Sequence, residues 1–343
     1  MAASHNCYVI LPARLAAPTA LIFASGLALS ACGSSDAPAD TSAGGSTSSA
    51  AGGQSGQGDS KTLVGAFVVK LSPASDLGEA STAVLGKVYD SATPSAVVWE
   101  SALSEGNCVL TTPRYPFCTT PCANGSVCVE DDTCAASPTS HSVGTVTVTG
   151  LRRTDSSDPF TMNPINTGYQ PLGDVTLAYP PFAEADAVTF AATGGDFAAF
   201  SIASKGIAPL LLSSTDLTLK TGVGLDLAWT KGNLADATIH AKVNISRHGG
   251  TKGQIDCETA DTGALSISPA MMTKLLNLGV AGYPTVIVTR HVIGSAVIAP
   301  GRVDLEVESV IEQPLEVDGL TSCTDDDDCA TGHTCHVEDQ TCK

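Results

Sequence analysis

Residues 238–246 read TIHAKVNIS, and their alternation restricts the fold more than any other feature of the chain. Ile239, Ala241, Val243 and Ile245 fall on one side of an extended backbone, and His240, Lys242 and Asn244 on the other. Successive side chains of a strand point to opposite faces, so such a segment buries one face and wets the other, as antiparallel strands do. The period recurs in RVDLEVE, where Val303, Leu305 and Val307 oppose Asp304, Glu306 and Glu308. It recurs in GLDLAWT, which aligns Leu225, Leu227 and Trp229, and in TVTVT, which aligns Val146 and Val148. Further strands are expected at 63–71, 82–89, 96–101, 187–192, 209–212, 216–220, 254–258, 264–267 and 285–291. Closely spaced Gly, Pro, Asn and Asp supply the turns of a sandwich or barrel.

One helix interrupts this pattern. In SPAMMTKLLNLG, Ser268 is placed to cap, Pro269 to start and Gly279 to follow the end. Met271, Leu275 and Leu278 share a face, and the paired methionines read as core filler. The expected fold is therefore all-β: an antiparallel β-sandwich over 61–318 with one short helix. The rival division falls near Gly173, between YQPLGD and YPPF. The chain has 343 residues, 43% of them hydrophobic, enough to bury a core. Its formal charge of −18 repels phosphate backbones, so nucleic acid is excluded as a partner.

Residues 15–31, LAAPTALIFASGLALSA, carry no charge and follow Arg14. That is the layout of an export signal, too short and too poor in Leu for a spanning helix. Leu29-Ser30-Ala31-Cys32 resembles the lipobox of bacterial lipoproteins. The resemblance implies cleavage before Cys32 and acylation of that residue, with 1–31 lost as signal peptide. Gly33 in place of Asp implies release to the outer membrane. More than one acyl chain makes a stable anchor, so the membrane is the first expected partner. The competing reading is a plain secretory signal. Residues 33–60 are small and polar with no apolar period, and they read as a flexible tether.

Setting aside Cys7 and Cys32, ten of the twelve cysteines remain, an even number that reads as disulfides in an exported chain. Eight form two clusters, Cys118, Cys122, Cys128 and Cys134, then Cys323, Cys329, Cys335 and Cys342. CANGSVC-VEDDTC and CATGHTCHVEDQTC match as an internal repeat, once inserted within 108–134 and once as a tail at 319–343. Segments this short hold together only by bridges. Their C-x5-C-x2-Gly-x2-C spacing is similar to cysteine-rich modules of the Dickkopf type. Four cysteines permit three pairings, of which first-to-third and second-to-fourth is the one expected here: Cys118–Cys128, Cys122–Cys134, Cys323–Cys335 and Cys329–Cys342. Cys108 and Cys257 are left to pair with each other.

Chemistry is sparse. Zinc sites favour paired C-x2-C spacings, which are absent, although His333 and His336 flank Cys335. Asp325, Asp326, Asp327 and Asp328 are the candidate calcium ligands, but the run lacks the alternation and placed Gly of a calcium loop, and a solvated acidic turn explains it. Neither G-x-S-x-G nor H-E-x-x-H occurs. Ser246 and His248 in SRHGGTKG read as a turn, and His141, His240 and His291 are scattered. Aromatics make up 5% of the chain, few for a sugar platform; Trp229 falls in a core phase, and Trp99 is open to either reading. No cofactor and no catalytic residue is expected. The expected role is that of a lipid-anchored surface protein engaged in binding, adhesion or structure, with an envelope protein or glycan as partner. The alternatives are an exported hydrolase with a non-sequential site and a carrier of an apolar ligand.

Overall fold

A computed structural model describes residues 62–343 apart from 76–77, 156–157 and 215–216. Cys32, the signal segment 1–31 and the tether 32–60 lie outside the described residues.

The alternating segments build a ten-stranded sheet. From one edge its order is Gly168–Tyr169, Ser81–Tyr89, Leu63–Ser72, Arg302–Pro314, Thr285–Val297, Thr238–Asn244, Gln254–Ala260, Cys108–Arg114 and Val98–Glu105, with Ser140–His141 also joined to Ser81–Tyr89. All these pairs are antiparallel except Leu63–Ser72 with Arg302–Pro314, which run parallel. A four-stranded sheet, ordered Phe200–Lys205, Ala187–Ala192, Val146–Thr149 and Phe160–Met162, packs over one half of it.

Two apolar cores share one face of the large sheet. The first joins Phe67, Val69, Val292, Val303, Leu305 and Val307 to Val146, Val148, Phe190 and Ile202 of the small sheet. The second joins Ile239, Ala241, Val243, Val286 and Val288 to Leu225, Leu227 and Trp229, and to Met271, Met272 and Leu275 of the helix Pro269–Leu276. Between the cores runs a polar seam. Arg290 and Ser309 are cross-strand partners in the inward phase, and both are buried. The helix begins as its sequence specifies: the Ser268 hydroxyl accepts from the Met271 N–H, with Pro269 at the first position.

The fold is all-β with a single α-helix among the described residues and two disulfide-stapled modules. Three local differences from the sequence pattern stand out. Residues 209–212 form no strand, only an isolated bridge from Leu212 to Trp229. The strand Phe200–Lys205 escapes the apolar pattern because one of its inward positions is Ser204. The strand Thr285–Val297 runs six residues past its expected end, and those residues set up the site below.

Cys108 and Cys257 face each other in register on adjacent strands and are bridged within the second core. In the modules the bridges are Cys118–Cys128, Cys122–Cys134, Cys323–Cys335 and Cys329–Cys342. The repeat extends to the backbone. Gly125 and Gly332 take the left-handed conformation at one matched position, Asp132 and Gln340 at another, two residues before the last cysteine. The copies differ in burial. The tail copy is clasped to the body by the Gly282 N–H on the Asp339 carbonyl, 2.8 Å, and by the Ser322 hydroxyl on the Gly282 carbonyl, 2.6 Å. Its Thr341 is buried, whereas the equivalent Thr133 is exposed.

Candidate functional site

The large sheet contains a step. The strand Thr238–Asn244 pairs with Thr285–Val297 only from Thr285 to His291, while the strand and its partner Arg302–Pro314 continue to Val297. At that step opens a cleft of about 630 Å³. The methyl groups of Ala185, Ala187 and Ala203 form one wall, and Val292 and Ile293 form the floor. Thr238, Glu258 and His291 stand at one end, and Lys205 and Asp236, paired at 2.6 Å, at the other.

His291 organises the charge. Its Nε2 lies 3.0 Å from a Glu258 carboxylate oxygen and 2.8 Å from the Thr238 hydroxyl. Its Nδ1 lies 3.3 Å from Glu306. Burial alone would lower the imidazole pKa, but the two flanking carboxylates overcome it and push it up to about 10. The two carboxylates thus favour the protonated ring, which pairs with both of them. Glu258 is held below its ordinary value: burial opposes this, and the bonds from His291 and Thr238 outweigh it. Across the strand pair from His291, Glu308 is pushed up to about 7 by burial and by Glu306, against the pull of Lys70 and His291.

Beneath the site, the seam is anchored by a buried ion pair. Arg290 Nε donates to Asp261 Oδ2 at 2.8 Å, and Nη2 donates to Asp261 Oδ1 at 3.4 Å. The remaining guanidinium N–H groups reach the carbonyls of Ala208, Pro209 and Thr230. Asp261 also accepts from the Trp229 indole at 2.7 Å and from the Gly232 N–H at 2.9 Å. With every donor of the guanidinium used, this network fixes loops and offers nothing to a ligand.

The residues singled out in the sequence disperse. Among the acidic run, Asp325 accepts from the Asp327 N–H, Asp326 from the Cys335 N–H, and Asp328 from the Thr324 N–H and hydroxyl. The Thr324 bonds hold the Asp328 carboxyl below its ordinary value. Asp325 and Asp328 thus cap a turn, and Asp326 ties that turn to Cys335 within the tail module. The sulfurs of Cys118, Cys122 and Cys128, and of Cys323, Cys329 and Cys342, gather closely because their bridges interlock. The Ser246 hydroxyl is engaged with Asn244 Oδ1 and the Lys252 N–H, inside a turn. His141 sits apart, between Asp90 and Asp196.

The site residues His291 and Glu258 lie in strands legible from sequence, but their meeting depends on register. Arg290 had a signal that sequence reading passed over: a cation in the apolar phase of TVIVTRHV, in step with Val286 and Val288. Among the described residues no helix is long and apolar enough to cross a membrane. No protein-family model matches the chain, and no curated protein matches it.

Proposed function

We propose that this chain is a binding protein of the cell envelope, anchored by acyl chains on Cys32 in the outer membrane and held off the surface by the tether 33–60. Its binding site is the cleft at the step of the sheet. The observation that carries this reading is the cleft itself: an open, methyl-lined groove framed by two pre-formed ion pairs, on a sheet stiffened by a buried bridge and a buried guanidinium. Groups already paired in the free protein orient a partner without changing charge during binding, which suits recognition better than proton transfer. The partner is an envelope protein or a glycan.

Two measurements test it. The intact mass of protein extracted from membranes without reductant should equal residues 32–343 plus acyl chains less ten hydrogens; a lipid-free mass would remove the anchor. The detergent-solubilised full chain should bind lipid-free cell-wall glycan or solubilised envelope proteins, and Ala203→Arg, which fills the groove from an exposed wall position, should abolish that binding. Binding to neither, or binding indifferent to Ala203→Arg, would end this reading.

A further inference from the structure

The floor of the cleft is a strand edge. The Ile298 N–H donates to the Gly301 carbonyl, and the Gly301 N–H to the Ile298 carbonyl, closing the hairpin between Thr285–Val297 and Arg302–Pro314. In an antiparallel ladder, residues alternate between bonding to one neighbour and to the other. Even-numbered residues of Thr285–Val297 therefore bond across to Arg302–Pro314, and the Leu315 N–H on the Pro284 carbonyl follows the same parity. Main-chain groups of odd-numbered residues point the other way. Up to His291 they meet Thr238–Asn244; those of Ile293, Ser295 and Val297 meet no strand among the described residues.

Sheet edges are ordinarily protected by charge, proline, bulges or brevity, and the two outer edges of the large sheet conform. Val98–Glu105 carries two glutamates and a bulge. The opposite edge ends in the two-residue strands Gly168–Tyr169 and Ser140–His141. The segment Val292–Val297 reads VIGSAV, regular, uncharged and without proline. Ile293 and Val297 project from its outer side, 49% and 38% exposed.

We infer that this edge takes up an extended segment of another polypeptide as an added strand, which enters the cleft at Ile293, where Thr238–Asn244 stops, and continues past Ser295 and Val297. The inference rests on the reading of the protein as a binding protein and names its partner class. Main-chain donors and acceptors in a row recognise a peptide backbone rather than a sugar. Ile293 and Val297 offer apolar contact to alternate side chains of the guest. Alongside Ile293 the cleft is narrowed by Ala185, Ala187 and Ala203 and by Asp236 and Thr238, so it admits a single extended segment rather than the whole edge of a second copy.

The test uses the full chain in detergent and unstructured dodecapeptides selected on it by display. In the free protein, the amides of Ile293, Ser295 and Val297 exchange fast and those of Val292, Gly294 and Ala296 slowly. A selected peptide slows the first three. Ser295→Pro removes one outward N–H while sparing the ladder to Arg302–Pro314, and it weakens binding by about fivefold or more. Ser295→Ala, which loses only the hydroxyl bond to Asp304, binds as the parent does. Ala203→Arg blocks the peptide without removing any N–H of the strand edge. Peptides that bind without protecting these amides would overturn the proposal, as would a dimer in which the free protein already protects them. Failure to select any peptide, with glycan binding still abolished by Ala203→Arg, would refute the added strand and leave the binding reading intact.

Discussion

Arg290 places a full charge in the interior, and its cost is offset only because Asp261 and three carbonyls answer every donor. Removing one partner of such a pair strands the other, at about 3–5 kcal/mol. Arg290→Ala should lower the urea midpoint by that equivalent, whereas a surface pair such as Lys205 with Asp236 should cost under about 1 kcal/mol when broken. Glu308 gives a pH signature. Its pKa rises on folding to about 7, so the native state holds a proton that the unfolded chain has already released. Stability is therefore highest below the unfolded value and falls as pH climbs through 7. His291 acts over a higher range: its raised pKa contributes stability below its unfolded value that is lost as pH passes about 10. The thermal midpoint should decline from pH 5 to pH 8, and Glu308→Gln should flatten that decline. An unchanged slope in the variant would show that Glu308 is not the group responsible.

Elements reveal which parts of the sequence carry local information. Period two located the strands Thr238–Asn244, Ala187–Ala192 and Ala264–Ile267 because each buries one face against one core. The helix was legible from its cap, and Ser268→Ala should cost about 1 kcal/mol in thermal or urea unfolding. Pairing was less legible, because alternation fixes a strand's faces and leaves its neighbours open. The parallel placement of Leu63–Ser72 beside Arg302–Pro314 joins segments far apart in sequence, and the step that forms the cleft depends on where Thr238–Asn244 stops along Thr285–Val297. Gly294 marks where the two sheets cross. A side chain there would put its Cβ 1.9 Å from the Ala203 carbonyl oxygen, so Gly294→Val should push Phe200–Lys205 off the ribbon and lower the thermal midpoint. Retained stability in that variant would mean the sheets have another way to pack.

Across the described residues, order comes mainly from contacts between segments distant in sequence. The bridge Cys108–Cys257 closes a loop with a sequence separation of 149, so its removal by a double alanine substitution should cost up to about 4–5 kcal/mol in urea unfolding, the chain-entropy limit for so long a loop. The module bridges each span 10–13 residues and serve their own copies. The duplicated module shows one design in two settings: the tail copy is clasped at Gly282, and the inserted copy stands in solvent beside exposed Tyr115 and Phe117. The interior position of Leu63–Ser72 has a mechanical meaning. Thr62 leads directly into Leu63–Ser72, an interior strand with eight register partners on each side. Tension applied there along the strand loads both ladders together in shear. A strand at the rim would instead peel away one bond at a time, so the body resists force applied along Leu63–Ser72 better than force applied at either edge of the sheet.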